Sequence, residues 1–154
     1  MPQSRHQKRR ERKPLKSTPY DNLVCFNFYR GWRAVQEFYH SAYPDNFNPQ
    51  RSYIIGLCID KAKRVSEIAE IMQIDDAAIS NILRRMEKDQ LIVRRKSSTD
   101  RRSIEVRATA YGTKIERETR QKLEALDEVL EQHISDRDRQ VLYQLVKVIH
   151  EHTS

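Results

Sequence analysis

The fold class predicted is mainly α-helical with one small β-hairpin, and three observations predict it. Two short stretches in tandem, residues 66–72 and 75–88, each carry one apolar stripe at helical spacing. The period switches to alternation only around residues 92–107. Longer apolar stripes flank this middle on both sides, more than a small central domain can cover.

Taken in order, residues 1–20 hold Arg5, Lys8, Arg9, Arg10, Arg12, Lys13 and Lys16 against Glu11, about +6, with almost no large apolar side chain. Such a segment cannot offset its ordering entropy and is expected to be a flexible basic arm. A helix is expected from near Asp21, where Val24, Phe28, Trp32, Val35, Phe38 or Tyr39 and Ala42 recur every three or four residues. Pro44 disfavours helix at the residue before it, so this first helix and its linker occupy residues 21–48. Asn48 followed by Pro49 restarts a helix, with Ile54, Leu57 and Cys58 toward the core.

The stretch VSEIAEIMQIDDAAISNILRRMEKDQLI follows. Ser66 is expected to cap a short helix with Ile68, Ala69 and Met72 on one face, and Asp75 to cap the next. In that second helix Ile79, Ile82, Leu83 and Met86 form the buried stripe, leaving Ala77, Ser80, Asn81, Arg84 and Lys88 opposite. Ile92 and Val93, then Ile104 and Val106 alternating with Glu105 and Arg107, make two strands around the loop of KSSTDRRS. A helix-turn-helix joined to a hairpin is a winged helix, here placed at residues 49–108. From Thr109 a long helix runs to about His133 with Ile115, Leu123, Leu126, Leu130 and Ile134 apolar. Ser135 opens a last helix bearing Val141, Leu142, Leu145, Val146 and Ile149. Residues 109–154 and the first helix are expected to form a dimerisation lobe between two copies of the chain.

The chain of 154 residues carries a formal charge of +7, two cysteines and three glycines. No glycine-rich phosphate loop exists, Cys25 and Cys58 lack CxxC spacing, and no nucleophile stands at recognisable spacing from a base. Asp75 with Asp76 reads as a helix cap, and His133, His150 and His152 lack ligand spacing on one helix face. The expectation is no enzyme, no metal and no cofactor. No apolar run reaches the roughly 18 residues of a membrane span, and nothing suggests export, so a cytoplasmic, nucleoid-associated protein is expected.

The charge points to nucleic acid. Arg84, Arg85, Lys88, Arg94 and Arg95 suit phosphate contacts, which give salt-sensitive affinity without base preference. Asn81 can pair with adenine in the major groove, Ala77 or Ala78 can touch a thymine methyl, and Ser80 shares that polar face. Arg102, beside Arg101 at the hairpin tip, suits the negative potential of a narrow minor groove. Asp76 reads as part of an exposed polar stripe, because an acidic side chain near phosphate is repelled.

With VSEIAEIMQIDDAAISNILRRMEKDQLI, STDRRSIEV, TAYG and ISDRDRQVLYQLVKVI in that order, the sequence resembles the MarR family of bacterial transcriptional regulators over roughly residues 21–152. The resemblance implies a homodimer on a palindromic double-stranded operator, with Asp100 holding Arg102 for the minor groove. It further implies a repressor released by a small aromatic effector or a peroxide. The stretch NLVCFNFY is similar to the opening helix of the family's organic-hydroperoxide sensors, which implies redox sensing at Cys25 near Tyr29 and Tyr39. A second reading from another class stays open: an architectural or partner-docking winged helix that binds DNA without sequence preference or not at all. The basic arm reads equally as a solubilising tail or as a DNA-grasping arm.

Overall fold

In the computed structural model, which describes residues 14–98, 100 and 102–153, the chain divides into two units, residues 1–38 and 39–154. Most of the expected basic arm, residues 1–13, and Arg101 lie outside the described residues.

In the first unit, Asp21 is a hub. Its carboxylate accepts hydrogen bonds from Ser17 Oγ (2.9 Å), Thr18 N (3.0 Å) and Thr18 Oγ1 (2.9 Å), and pairs with Arg30 at 3.1 Å. These bonds hold its pKa below the ordinary value, the Thr18 amide foremost. Because that carboxylate turns back to Ser17 and Thr18, helix α1 begins at Val24 and runs to Tyr39, later than the start expected near Asp21. No residue of α1 is buried, and Val24, Phe28, Trp32 and Val35 stand exposed.

The second unit opens with a 3-10 turn at His40–Ala42 and a break at Tyr43, extended before Pro44 as its ring requires. Helix α2, Pro49–Leu57, starts where expected: Asn48 accepts the Arg51 amide at 2.9 Å and Pro49 fills the first turn. Strand β1, Lys63–Arg64, was not anticipated by the periodicity. It pairs antiparallel with β3, so the hairpin becomes a three-stranded sheet in the order β1-β3-β2. That pairing holds Arg64 extended, and α3 therefore begins at Val65 and runs to Met72 with Arg64 in the cap position. Ser66, expected as the cap, lies instead inside the first turn.

Gln73 takes a left-handed conformation (φ 53°) and turns the chain into α4, Asp76–Lys88. Asp75 caps α4 by accepting the Ala78 amide at 2.8 Å. Strands β2, Ile92–Lys96, and β3, Ile104–Ala108, form the hairpin with Arg94 opposite Val106 and Arg95 opposite Glu105. Ile54, Ile55, Cys58, Ile68, Ile79, Leu83, Met86, Ile92 and Val106 are fully enclosed and join α2, α3, α4 and the sheet into one core. Each aliphatic member contributes about 1.5–3 kcal/mol by leaving water.

Helix α5, Ala110–Glu131, is capped by Thr109, whose hydroxyl accepts the Gly112 amide at 2.9 Å. The Thr109 amide donates to Leu91 O at 3.1 Å, tying this helix to the end of the helix-turn-helix. A Cβ on Gly112 would lie 2.1 Å from Leu91 O, so only glycine permits this approach. The side of α5 that is fully buried is Gly112, Glu116 and Thr119, whereas of the expected apolar stripe Ile115, Leu123, Leu126 and Leu130 are half-buried and Ile134, beyond the helix end, is exposed. Helix α6, Asp136–Glu151, opens on a capping box between Ser135 and Asp138 and buries no residue.

One ion pair ties α4 to β2. Arg94 meets Glu87 through Nε at 2.8 Å and Nη2 at 2.7 Å, while the Arg94 amide donates to the same carboxylate at 3.0 Å. The Arg94 side chain, followed by its amide, holds Glu87 below the glutamate value of 4.5. A depressed carboxylate stabilises the fold above its unfolded pKa, and the contribution is lost as pH falls through the folded value. Glu87→Gln should therefore lower the melting temperature at pH 7 and flatten its decline below about pH 4.5, as thermal melts at stepped pH would record. Gly112→Ala should cost about 1–3 kcal/mol in urea unfolding, through overpacking against Leu91; unchanged stability would mean that α5 does not bear on this carbonyl.

Candidate nucleic-acid interface

Helix α4 presents its outer side in two strips. Ala77, Asn81, Arg84 and Lys88 follow one another at three- and four-residue steps and are all exposed. Ala78 and Arg85, seven residues apart, lie on a separate flank. Arg84 donates to Asn81 Oδ1 at 2.8 Å, which presets the amide of Asn81 and orients its NH2 outward for a hydrogen-bond acceptor.

Toward the wing, α4 borders a groove of roughly 360 Å³. Asp76, Ser80 and Leu83 of α4 line it together with Arg94, Arg102, Ser103 and Ile104 of the hairpin and Arg64, Val65 and Ser66 at the junction of β1 and α3. Recognition helix and wing tip therefore share one concave face. At the tip, Asp100 accepts the backbone amide of Arg102 at 3.0 Å, and its carbonyl accepts the Ser103 amide at 2.9 Å. The aspartate thus holds the arginine through the main chain. Ser97 N donates to Ser103 O at 3.0 Å and closes the hairpin below.

Among the cations expected to face phosphate, Arg84, Arg85, Lys88 and Arg95 are exposed, and Arg94 is engaged by Glu87; Arg102, expected in the minor groove, is exposed as well. Arg94 thus acts as a clamp between α4 and β2. Arg64 was missed: it lines the same groove as the wing arginine, and its signal was the run DKAKR, whose charge hides between two apolar helices. Lys63 of the same run is paired with Glu67 at 2.7 Å.

The residues expected to sense oxidant divide. Cys25 is an exposed thiol and Tyr29, one turn on, is exposed as well. The Tyr39 hydroxyl donates to Asp127, and partial burial followed by this carboxylate pushes its pKa up to about 12. Tyr43 is shifted upward too, by burial and then by the neighbouring Tyr53. Cys58, by contrast, is sealed in the core, and burial raises its thiol to about 11, which makes it an inert hydrophobe.

Comparison with known proteins points the same way as the geometry. The MarR family model matches residues 60–104, from the loop before β1 to the first residue of β3. The HTH-type transcriptional regulator MgrA of Staphylococcus aureus is 27% identical over 89 residues, 56% of this chain; the match spans 60% of that relative's length. Among solved structures, the PcaV transcriptional regulator from Streptomyces coelicolor, in complex with its natural ligand, superimposes with a TM-score of 0.75 at 12% identity, covering 91% of this chain and 100% of that one. The transcriptional repressor CouR, bound to a 23-mer DNA duplex, gives a TM-score of 0.72 at 22% identity over 89% of this chain and 99% of CouR. The helix pair and wing of this chain thus have the winged helix-turn-helix fold, and the stretch that holds them, residues 60–104, is similar to the MarR family.

Proposed function

We propose that the chain is a homodimeric, sequence-specific transcriptional regulator that binds a palindromic double-stranded operator. It acts as a cytoplasmic, nucleoid-associated repressor released by a small molecule or an oxidant. The observation that carries this reading is the shared groove: the first turns of α4 and the Arg102 tip line the same concavity. A helix N-terminus of this kind enters the major groove while an arginine one strand-length away reaches the adjacent minor groove. Arg84, Lys88 and Arg95 flank them as phosphate contacts.

Dimerisation is favoured by α6, whose Val141, Leu142, Val146 and Ile149 are 59%, 58%, 49% and 42% exposed on a single chain. Such a face is covered when a second copy packs against it. Two copies would set their recognition helices roughly 34–36 Å apart, one turn of duplex. A signal releases the operator by favouring a dimer with a different spacing, a population shift set by differential affinity for the two arrangements. The PcaV structure, solved with its natural ligand, supports a small molecule in this role, and an aromatic one suits the tyrosine-rich region of Tyr39, Tyr43 and Tyr53. The exposed Cys25 supports an oxidant.

The test begins with binding-site selection from random duplexes. On the selected operator, Arg102→Ala should weaken binding by about ten-fold or more, and an unchanged Kd would remove the wing from the interface. Removing residues 1–20 should leave the selected sequence intact; loss of all preference and affinity would favour the architectural reading. Val141→Glu with Leu142→Glu should yield a monomer in sedimentation, and a persisting dimer would place the interface elsewhere.

A further inference from the structure

Asp76 does not behave as an idle member of a polar stripe. Among the described residues it is the one acidic side chain lining the groove between α4 and the wing. The capping of α4 falls to Asp75, whose carboxylate takes the Ala78 amide, so Asp76 is not spent on the helix end. Its own carboxylate makes no hydrogen bond or ion pair with a described residue. It is exposed in the first turn, where a recognition helix meets base edges.

A carboxylate facing DNA is repelled by phosphates unless cations stand with it. Here Arg64 and Arg102 line the same groove, and the groove stays net positive with Asp76 in it. In the major groove a carboxylate, which only accepts, meets two kinds of donor: the amino groups of cytosine and of adenine. Adenine sets the N7 acceptor beside its amino group, and guanine and thymine show only acceptors at their hydrogen-bonding edges. The cytosine amino group has an acceptor on one side only, the O6 of its paired guanine, whereas the adenine amino group lies between N7 and the O4 of its paired thymine, so a carboxylate prefers cytosine.

We propose that Asp76 is a specificity-determining residue whose carboxylate accepts a hydrogen bond from a cytosine amino group in the major groove, with Arg64 on a neighbouring phosphate offsetting its charge. The inference rests on the DNA-binding reading above and names the base that its groove selects.

The experiment repeats the selection from random duplexes with the full chain, Asp76→Ala and Asp76→Asn, followed by titration of single-base operator variants. Expected for the natural chain is a cytosine at one position of each half-site, whose replacement weakens binding about ten-fold. Asp76→Ala should erase that penalty while penalties elsewhere remain. Asp76→Asn, close in shape and so neutral to the fold, should move the preference to adenine. Two results would overturn the proposal: an unchanged preference at every position in Asp76→Ala, or tighter binding of all duplexes by one common factor, the mark of a residue that merely repels phosphate. A natural chain that selects no sequence at all would instead sink the regulator reading, and the cytosine contact with it. Arg64→Ala completes the set, and should weaken all duplexes alike and lessen the salt dependence.

Discussion

The carbonyl of Leu91 accepts the Thr109 amide at 3.1 Å and lies so near Gly112 that no side chain fits between them. On this contact the orientation of the wing, the recognition helix and the long helix α5 all depend. Leu91 follows directly from α4 through Gln90, which adopts a left-handed backbone (φ 59°) to bring the chain round. It also immediately precedes β2, whose partner β3 leads back into Thr109. A second tie lies close by, since the Ala108 amide donates to Cys58 O at 3.0 Å and joins the end of the sheet to the end of α2. The start of α5 is thereby seated on main-chain atoms, which do not change rotamer.

Electrostatics in this unit divide cleanly between structure and surface. Glu87, Asp89 and Glu67 each hold one cation, Arg94, Arg51 and Lys63 respectively, at 2.7 Å. These partly exposed pairs add modest stability, but they settle which arginines stay turned inward along the framework. Among the described residues, the cations without a carboxylate partner include Arg84, Arg85, Lys88, Arg95, Lys96 and Arg102 with Arg64, on the outer side of α4, the hairpin and the groove. A basic face thus results from selective pairing, even though acidic residues are interleaved along the same segment.

Much of this was legible in the sequence because it rests on local chemistry. The Asn48-Pro49 start, the Asp75 cap and the Ser135 capping box follow from side chains three residues from the amides they satisfy. The switch from helical to alternating period located β2 and β3 for the same reason. What escaped depends on partners far along the chain. Strand β1 is two residues long and exists only because Val106 and Glu105 offer it an edge. Its pairing displaced the expected cap at Ser66. The buried side of α5 reads as solvent-facing, yet Glu116 is enclosed because Arg120 meets it at 2.6 Å and Gly56 leaves room beside both. In the candidate site, the recognition strip and the wing arginine were visible as spacing and charge. The commitment of Arg94 to Glu87 and the arrival of Arg64 were not, since each is decided by the sheet register.

The two-residue strand β1 also determines how this sheet meets other sheets. By pairing with β3 it makes β3 the central strand, while the outer margin of β2 remains one of the sheet's two edges and carries Arg95 and Lys96, both exposed. An uncovered strand invites a strand from another molecule to extend it, and like charges facing each other oppose that extension. The cations Arg95 and Lys96 therefore also oppose edge-to-edge pairing of this margin of the wing with a strand of another molecule.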